Sequence, residues 1–335
     1  MSAPDRGRLR AAWTLVLLST LCAELTFTAV AVPFTWLLLP LLMVMYGAGV
    51  LVVREAVVRT GAGWPGLVLL GVAYELAEDG LGLQALTSPR MYGAADWGWR
   101  ALGANWTYWE SQIGVHVVFS VLVPVMLTGL LFPAHRDRPF LRTGGLIGVG
   151  VLAVVGVLGL RLVISATQDP GYITPWGWTA GFVVAIAVLA FVALRRRPVR
   201  DAAAVGSAPK PVVVAVAAGV ATIVFLGLLM PPGLGPDAVF GDAVPLQIPL
   251  VVAALVGIGS GRLVLRWRAA PEWSDGHRIW LAGGILVGHT AFMMPAGPVA
   301  VLTGAITIAL EVTALVLLHR HIVRRESTAG ARRSA

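Results

Sequence analysis

Stretches of about twenty apolar residues, each closed off by a short polar turn, recur along the whole chain, and this pattern decides what it can fold into. A hydrocarbon core about 30 Å thick is crossed by an α-helix of roughly 20 residues rising 1.5 Å each. In lipid every backbone N–H and C=O must be bonded within the chain, so only helices or closed barrels span it. The alternating ten-residue segments of a barrel are absent here. The apolar blocks fall at roughly 12–32, 34–53, 64–85, 111–132, 143–164, 177–194, 211–230, 246–265, 278–295 and 299–318. The predicted fold is all-α: one polytopic transmembrane helix bundle of about ten spans, filling 1–335 as a single membrane domain with a basic tail at 319–335.

Arginine placement sets the orientation. The N-terminal stretch carries Arg6, Arg8 and Arg10, and the even-numbered connections carry Arg54 and Arg59, then Arg136, Arg138 and Arg142, then Arg195, Arg196, Arg197, Arg200 and Lys210, then Arg266, Arg268 and Arg278. The tail adds Arg320, Arg324, Arg325, Arg332 and Arg333, whereas the other side holds only Arg90 and Arg100 in the loop 86–110; Asp169, Asp237 and Asp242 lie in its lysine- and arginine-free connections. Positive charge stays on the cytoplasmic side, so both termini are predicted to be cytoplasmic. The net charge of +8 is thereby spent on topology, and the arginines form no single face for nucleic acid. Arginine replaces lysine almost throughout, and alanine, glycine and valine abound, which points to a GC-rich bacterial genome and a multi-pass protein of the bacterial plasma (inner) membrane. The single cysteine, Cys22, excludes an internal disulfide and a cysteine-based zinc site.

Polar side chains at membrane depth carry the functional expectation. An acid or arginine in mid-span costs about 2.5–3.5 kcal/mol on insertion scales, so each demands a reason. The candidates are Glu24 in span 1, Glu75, Glu78 and Asp79 in span 3, His116 in span 4, His289 in span 9 and Glu311 in span 10. At 1.5 Å per residue, Glu24, Glu75 and His289 lie roughly 16–20 Å from the cytoplasmic edge and the others at or beyond the midplane, which predicts one substrate or coupling-ion pocket in the outer half of the membrane. Glu75, Glu78 and Asp79, at i, i+3 and i+4, share one helix face with Gly71 and Gly82. Carboxylates so close in a low dielectric need a proton, a metal, an arginine or a cationic substrate between them. Arg161 is the nearest cation by depth, and Glu78, Asp79, His116 and His289 are the candidate metal ligands.

Other features have plainer readings. Glu55 and Arg59, at i, i+4, form an interfacial ion pair. Trp97, Trp99, Trp106, Trp109, Tyr92 and Tyr108 of the outer loop read as an interfacial belt, or else as a cover over the outer mouth. Gly144 with Gly148, and Gly257 with Gly261, are pairs suited to close helix approach. Asn105-Trp106-Thr107 has the form of a glycosylation sequon.

An acidic pair followed by two intramembrane histidines resembles, in chain order, the glutamic intramembrane proteases. Their motif reads Glu-Glu, three residues, Arg. Here Glu78-Asp79 is followed by Gly80-Leu81-Gly82-Leu83, and Gln112 stands four before His116 where that family has Phe, so the chain is not placed there. Ten spans with both ends inside resemble the drug/metabolite transporters in outline alone. Walker, HExxH and nucleophile-elbow motifs are absent, and no cofactor is indicated. The leading expectation is a proton- or cation-coupled permease or flippase acting on a small molecule or lipid. The alternatives are an intramembrane hydrolase using the span-3 acids with His116 and His289, or a non-catalytic subunit of a membrane complex.

Overall fold

The computed structural model describes residues 3–195, 206–235, 240–241 and 244–333; Arg196, Arg197, Arg200, Asp237 and Asp242 lie outside them. Among the described residues eight helices are long and apolar enough to cross a membrane: α2 (Pro33–Thr60), α4 (Trp106–Leu131), α5 (Thr143–Gln168), α6 (Trp176–Arg195), α7 (Pro211–Leu229), α8 (Gln247–Arg268), α9 (Asp275–Ala296) and α10 (Pro298–Arg325), the last running on as helix to Arg333. The sequence pattern suggested about ten. The two remaining stretches are also helical: α1 (Ala3–Thr20, extended through Leu25) and α3 (Gly63–Glu75, extended through Gly82). Arg8 and Arg10 dilute the apolar run of α1, and three acids dilute that of α3.

The helices form two groups. Half or more of the apolar stretch of α2, α4 and α9 is buried in protein (50%, 67% and 61%), against 11–17% for α5, α6, α7, α8 and α10. The first group, with α1 and α3, forms the interior. The second presents leucine, valine and isoleucine outward, as helices solvated by lipid do. α6 packs on α3, α5 on α2, and α7 on α9.

The α7/α9 crossing is the closest in the bundle, and it uses glycines other than those singled out above. A Cβ on Gly284 would run into the Ala215 carbonyl, and one on Gly288 would sit 2.7 Å from the Gly219 carbonyl. By contrast, the Cβ positions of Gly144, Gly148 and Gly261 meet nothing within 4 Å, and Gly257 meets only Phe225. Spacing alone does not tell which glycine pairs face a neighbouring helix.

One end of the bundle gathers the arginines. Arg8 of α1 donates to the Phe140 carbonyl, Arg59 of α2 to the Leu141 carbonyl, and Arg136 pairs with Asp275 at 3.6 Å. The start of α1 and the second, fourth and eighth connections therefore share one end. At the other end, residues 83–105 fold down as an ordered cap around a two-stranded ribbon, β1 (Arg100–Ala101) against β2 (Ala104–Asn105). Leu86 and Met91 in it are fully buried, Ser88 donates to Asp169 at 2.6 Å, and Arg90 pairs with the same carboxylate. The Asn105 amide is committed to the carbonyls of Ala85 and Ser88 and is 1% exposed, so the sequon is a structural anchor. Trp99, Trp106, Trp109 and Trp178 pack on one another, the tightest pair having ring centres 5.2 Å apart. The aromatic residues thus brace the cap.

Candidate functional site

Five helical segments in the described residues open into π-helical turns: Leu21–Leu25, Met43–Gly47, Leu76–Gly82, Gly114–Leu122 and Leu160–Ser165. An i→i+5 turn inserts a residue, re-aims the side chains beyond it and is found disproportionately at functional sites. Four of these turns carry Glu24, Tyr46, Glu78 with Asp79, and His116; Glu75 sits one residue before the third. Close contacts hold them against their neighbours. A Cβ on Gly47 would overlap the Val16 side chain, and one on Gly82 would lie 3.1 Å from the Val157 carbonyl.

His116 is the centre. Its Nδ1 lies 3.4 Å from Glu78 Oε2 and its Nε2 3.2 Å from Asp79 Oδ2, a histidine held between two carboxyl groups. Tyr46 stacks on the imidazole with ring centres 5.9 Å apart, and Tyr74 meets it edge-on at 6.0 Å. The Tyr46 hydroxyl donates to Glu24 Oε1 at 2.6 Å, which ties the span-1 acid to the cluster. Glu75 completes it on the side of Trp109. Glu75, Glu78, Asp79 and His116 are at most 2% exposed, whereas Glu24 keeps partial exposure.

The polar bookkeeping is unusual for a protein interior. Beyond the histidine, Trp109 faces Glu75 and Tyr74 faces Glu78, and none of the six oxygens of Glu75, Glu78 and Asp79 has a well-formed hydrogen bond from a described residue. Buried polar groups are nearly always paired, and leaving one unpaired costs about 1–3 kcal/mol, more when charged. Four carboxyl groups surround one imidazole, so the cluster reaches neutrality only by taking up protons or a cation. Arg161 is not that cation. It donates to the Leu81 carbonyl at 3.2 Å, at the loosened end of the α3 π turn, where a backbone acceptor lies within its reach.

The remaining two sequence candidates lie beside the cluster. His289 is fully buried between the rings of Phe27 and Phe119, with ring centres at 4.1 and 3.7 Å, and neither of its nitrogens bonds a described residue. Phe27 and Phe119 each follow a site residue, Glu24 and His116, by three positions, so His289 occupies the next layer of the bundle. Glu311 belongs to that outlying layer: Thr290 Oγ1 lies 3.0 Å from Glu311 Oε1 and 2.8 Å from the Thr26 carbonyl. Among the described residues no group of three or more His, Cys, Asp or Glu is arranged to hold a metal ion. The aromatic sandwich keeps His289 out of any set with Glu78, Asp79 and His116.

A family model described as an uncharacterized membrane protein family matches residues 14–326, nearly the whole chain. The chain belongs to that family. It is a multi-pass membrane protein, and the matched stretch includes all seven candidate residues from Glu24 to Glu311. No curated protein and no solved structure matches it. Sequence reasoning missed Tyr46 and Tyr74, whose signal was a phenol in the middle of an apolar stretch rather than at its edge.

Proposed function

We propose that this protein is a proton- or cation-coupled permease or flippase of the bacterial plasma membrane, with Glu24, Glu75, Glu78, Asp79 and His116 as its coupling site. The observation that carries this reading is the set of three buried carboxyl groups around one imidazole, their six oxygens short of well-formed hydrogen bonds from the described residues. Such a cluster binds and releases positive charge at membrane depth, which is what coupling requires. In this reading Glu24, partly exposed and bonded to Tyr46, is the member through which the ion enters. The cap of residues 83–105 is the element that alternation would have to move at the outer end.

The test needs no known substrate. In proteoliposomes on a solid-supported membrane, a proton or sodium concentration jump produces a transient charge displacement when a protein binds that ion electrogenically. The expected result is a current in the wild-type protein that Glu78→Gln abolishes while the variant stays monodisperse and correctly folded. The absence of current with either ion, or an unchanged current in Glu78→Gln, would sink the reading. The second reading, an intramembrane hydrolase, draws on the same placement of His116 between two carboxyl groups, an arrangement suited to general acid–base chemistry. It predicts cleavage of an acyl or peptide bond in reconstituted protein without ion-driven current.

A further inference from the structure

Four of the chain's five tyrosines, Tyr46, Tyr74, Tyr92 and Tyr108, gather around the acidic cluster, although they come from α2, α3, the cap and α4. Tyr46 and Tyr74 meet the His116 ring from two directions. Tyr108, 5% exposed, lies within electrostatic reach of Glu75, Glu78 and Asp79, and Tyr92 stacks on it with ring centres 5.9 Å apart. Tyr92 in turn reaches Asp79 and the partly exposed Glu24, yet keeps 45% of its own surface exposed. The rings therefore form a column from the surface to the acids.

Tyr92 is held there against its backbone preference. Its φ of +55° is the left-handed conformation that a bulky side chain rarely adopts, and such positions concentrate at ligand clamps and switch regions. The stack on Tyr108 and the bond from Trp97 Nε1 to the Tyr92 carbonyl, at 3.1 Å, fix the turn.

Arginines do not fill the cluster from this end. Arg161 bonds the Leu81 carbonyl, Arg90 pairs with Asp169, and Arg100 donates to the Thr87 carbonyl and to Asn105 Oδ1. Carboxyl groups bordered by aromatic rings attract a cation through both charge and ring quadrupole. The geometry narrows the kind of cation. Calcium or magnesium draws its oxygen ligands to about 2.0–2.6 Å, and no group of three or more acids or histidines among the described residues is arranged for that. An ammonium group makes directed N–H bonds of about 2.7–2.9 Å to separate carboxylates and accepts ring faces within about 6 Å. Its N–H groups are the donors that the six oxygens of Glu75, Glu78 and Asp79 lack, and a quaternary ammonium has none to offer.

We propose that the cluster binds a small primary ammonium cation, with its N–H groups on the three acids, its alkyl part on the tyrosine rings, and Tyr92 and Tyr108 lining its approach. This rests on the reading of the cluster as a cation site and names the class of cation it takes.

The experiment is thermal melting of the full-length protein in neutral detergent at pH 7 across a concentration series of methylammonium, tetramethylammonium or sodium chloride, with ionic strength balanced by potassium chloride. A ligand of the folded state raises the melting temperature in step with its occupancy. Methylammonium is expected to do so, and tetramethylammonium and sodium to have no effect. Glu78→Gln should weaken methylammonium binding at least tenfold, by loss of a charge-assisted bond. Tyr108→Leu should weaken it roughly tenfold by removing a ring face, whereas Tyr108→Phe should stay within about twofold of wild type. Glu272→Gln, exposed at the opposite end, should leave it unchanged. An equal shift with sodium or tetramethylammonium, or equal losses in the two Tyr108 variants, would overturn the proposal. No shift with methylammonium in a protein that still gives the proton-jump current would overturn it and leave the coupling reading standing; a methylammonium shift without any ion-jump current would uphold the binding site and remove the coupling.

Discussion

Two regions of this molecule bury carboxylates, and they treat them in opposite ways. At the arginine-rich end Glu55 is fully buried, and its two oxygens receive four hydrogen bonds: Arg54 at 2.7 Å and the Phe140 N–H at 2.6 Å on Oε1, Arg59 at 3.4 Å and the Leu141 N–H at 3.2 Å on Oε2. Arg54, 2% exposed, passes the order on to the carbonyls of His135 and Arg136 and lies 3.4 Å over the Phe140 ring. In the outer cluster three carboxyl groups share one histidine, and Tyr74 and Trp109, which also face them, make no well-formed hydrogen bond to them. A satisfied buried charge holds a loop in place, whereas an unsatisfied one stays available to a ligand or a proton. The first region is therefore architecture and the second a site.

The largest effect should come from breaking the satisfied region. Glu55→Ala strips the counter-charge from a buried guanidinium and frees two backbone N–H groups, a change that costs about 3–5 kcal/mol in comparable buried pairs. Thermal melting in detergent should show it, together with proteolytic cleavage in the 132–142 connection that the wild-type protein resists. Melting within experimental error of wild type would mean that the connection is held by its apolar contacts instead.

His116→Gln attacks the unsatisfied region at the imidazole between its carboxyl groups. It should cost roughly 1.5–3 kcal/mol at neutral pH, because two close carboxylates lose the group between them. Protonation removes that repulsion, so the deficit should shrink as the pH falls, and adding Asp79→Asn should restore most of the stability at neutral pH. A deficit that is independent of pH would assign His116 a packing role.

Tyr46→Phe is a smaller probe of the same cluster. It removes the 2.6 Å hydrogen bond to Glu24 and keeps the ring on His116, for about 1 kcal/mol. Tyr74→Phe should cost less, since its hydroxyl lies 3.4 Å from the Met45 carbonyl and makes no well-formed bond to Glu78, which it faces. Equal losses would indicate that the two rings matter and the hydroxyl groups do not.

How much of this contrast could be read from the sequence follows from the range of the interactions. The acids stood out because charge in an apolar stretch is conspicuous, and the single pair Glu55–Arg59 because i, i+4 neighbours meet on any helix. Besides the adjacent Arg54, the other partners of Glu55 lie 85 and 86 residues away and are backbone groups, which carry no residue signature. The π turns were equally hidden, because helix register there is set by the neighbouring helices more than by local propensity. That is why His289, at the right depth by counting, proves to lie one layer from His116, and why the i, i+3, i+4 spacing of the α3 acids understates how they fan around the imidazole.

The smallest effect is the sharpest test, because it sets the same chemical change in both regions. Glu55→Gln turns one carboxylate oxygen into an NH2 group, and whichever way the amide is flipped it faces an arginine and a backbone N–H that are donors too. No rotation rescues it, and a loss of a few kcal/mol is expected. Glu78→Gln weakens a 3.4 Å approach to His116 Nδ1 and relieves the repulsion with Asp79, and because the two offset each other its stability should stay within about 0.5 kcal/mol of wild type or rise. Melting curves of the two variants at one pH decide the matter. Similar losses in both would mean that the outer carboxylates are as structurally committed as Glu55, and the outer cluster would then lose its claim to be a site.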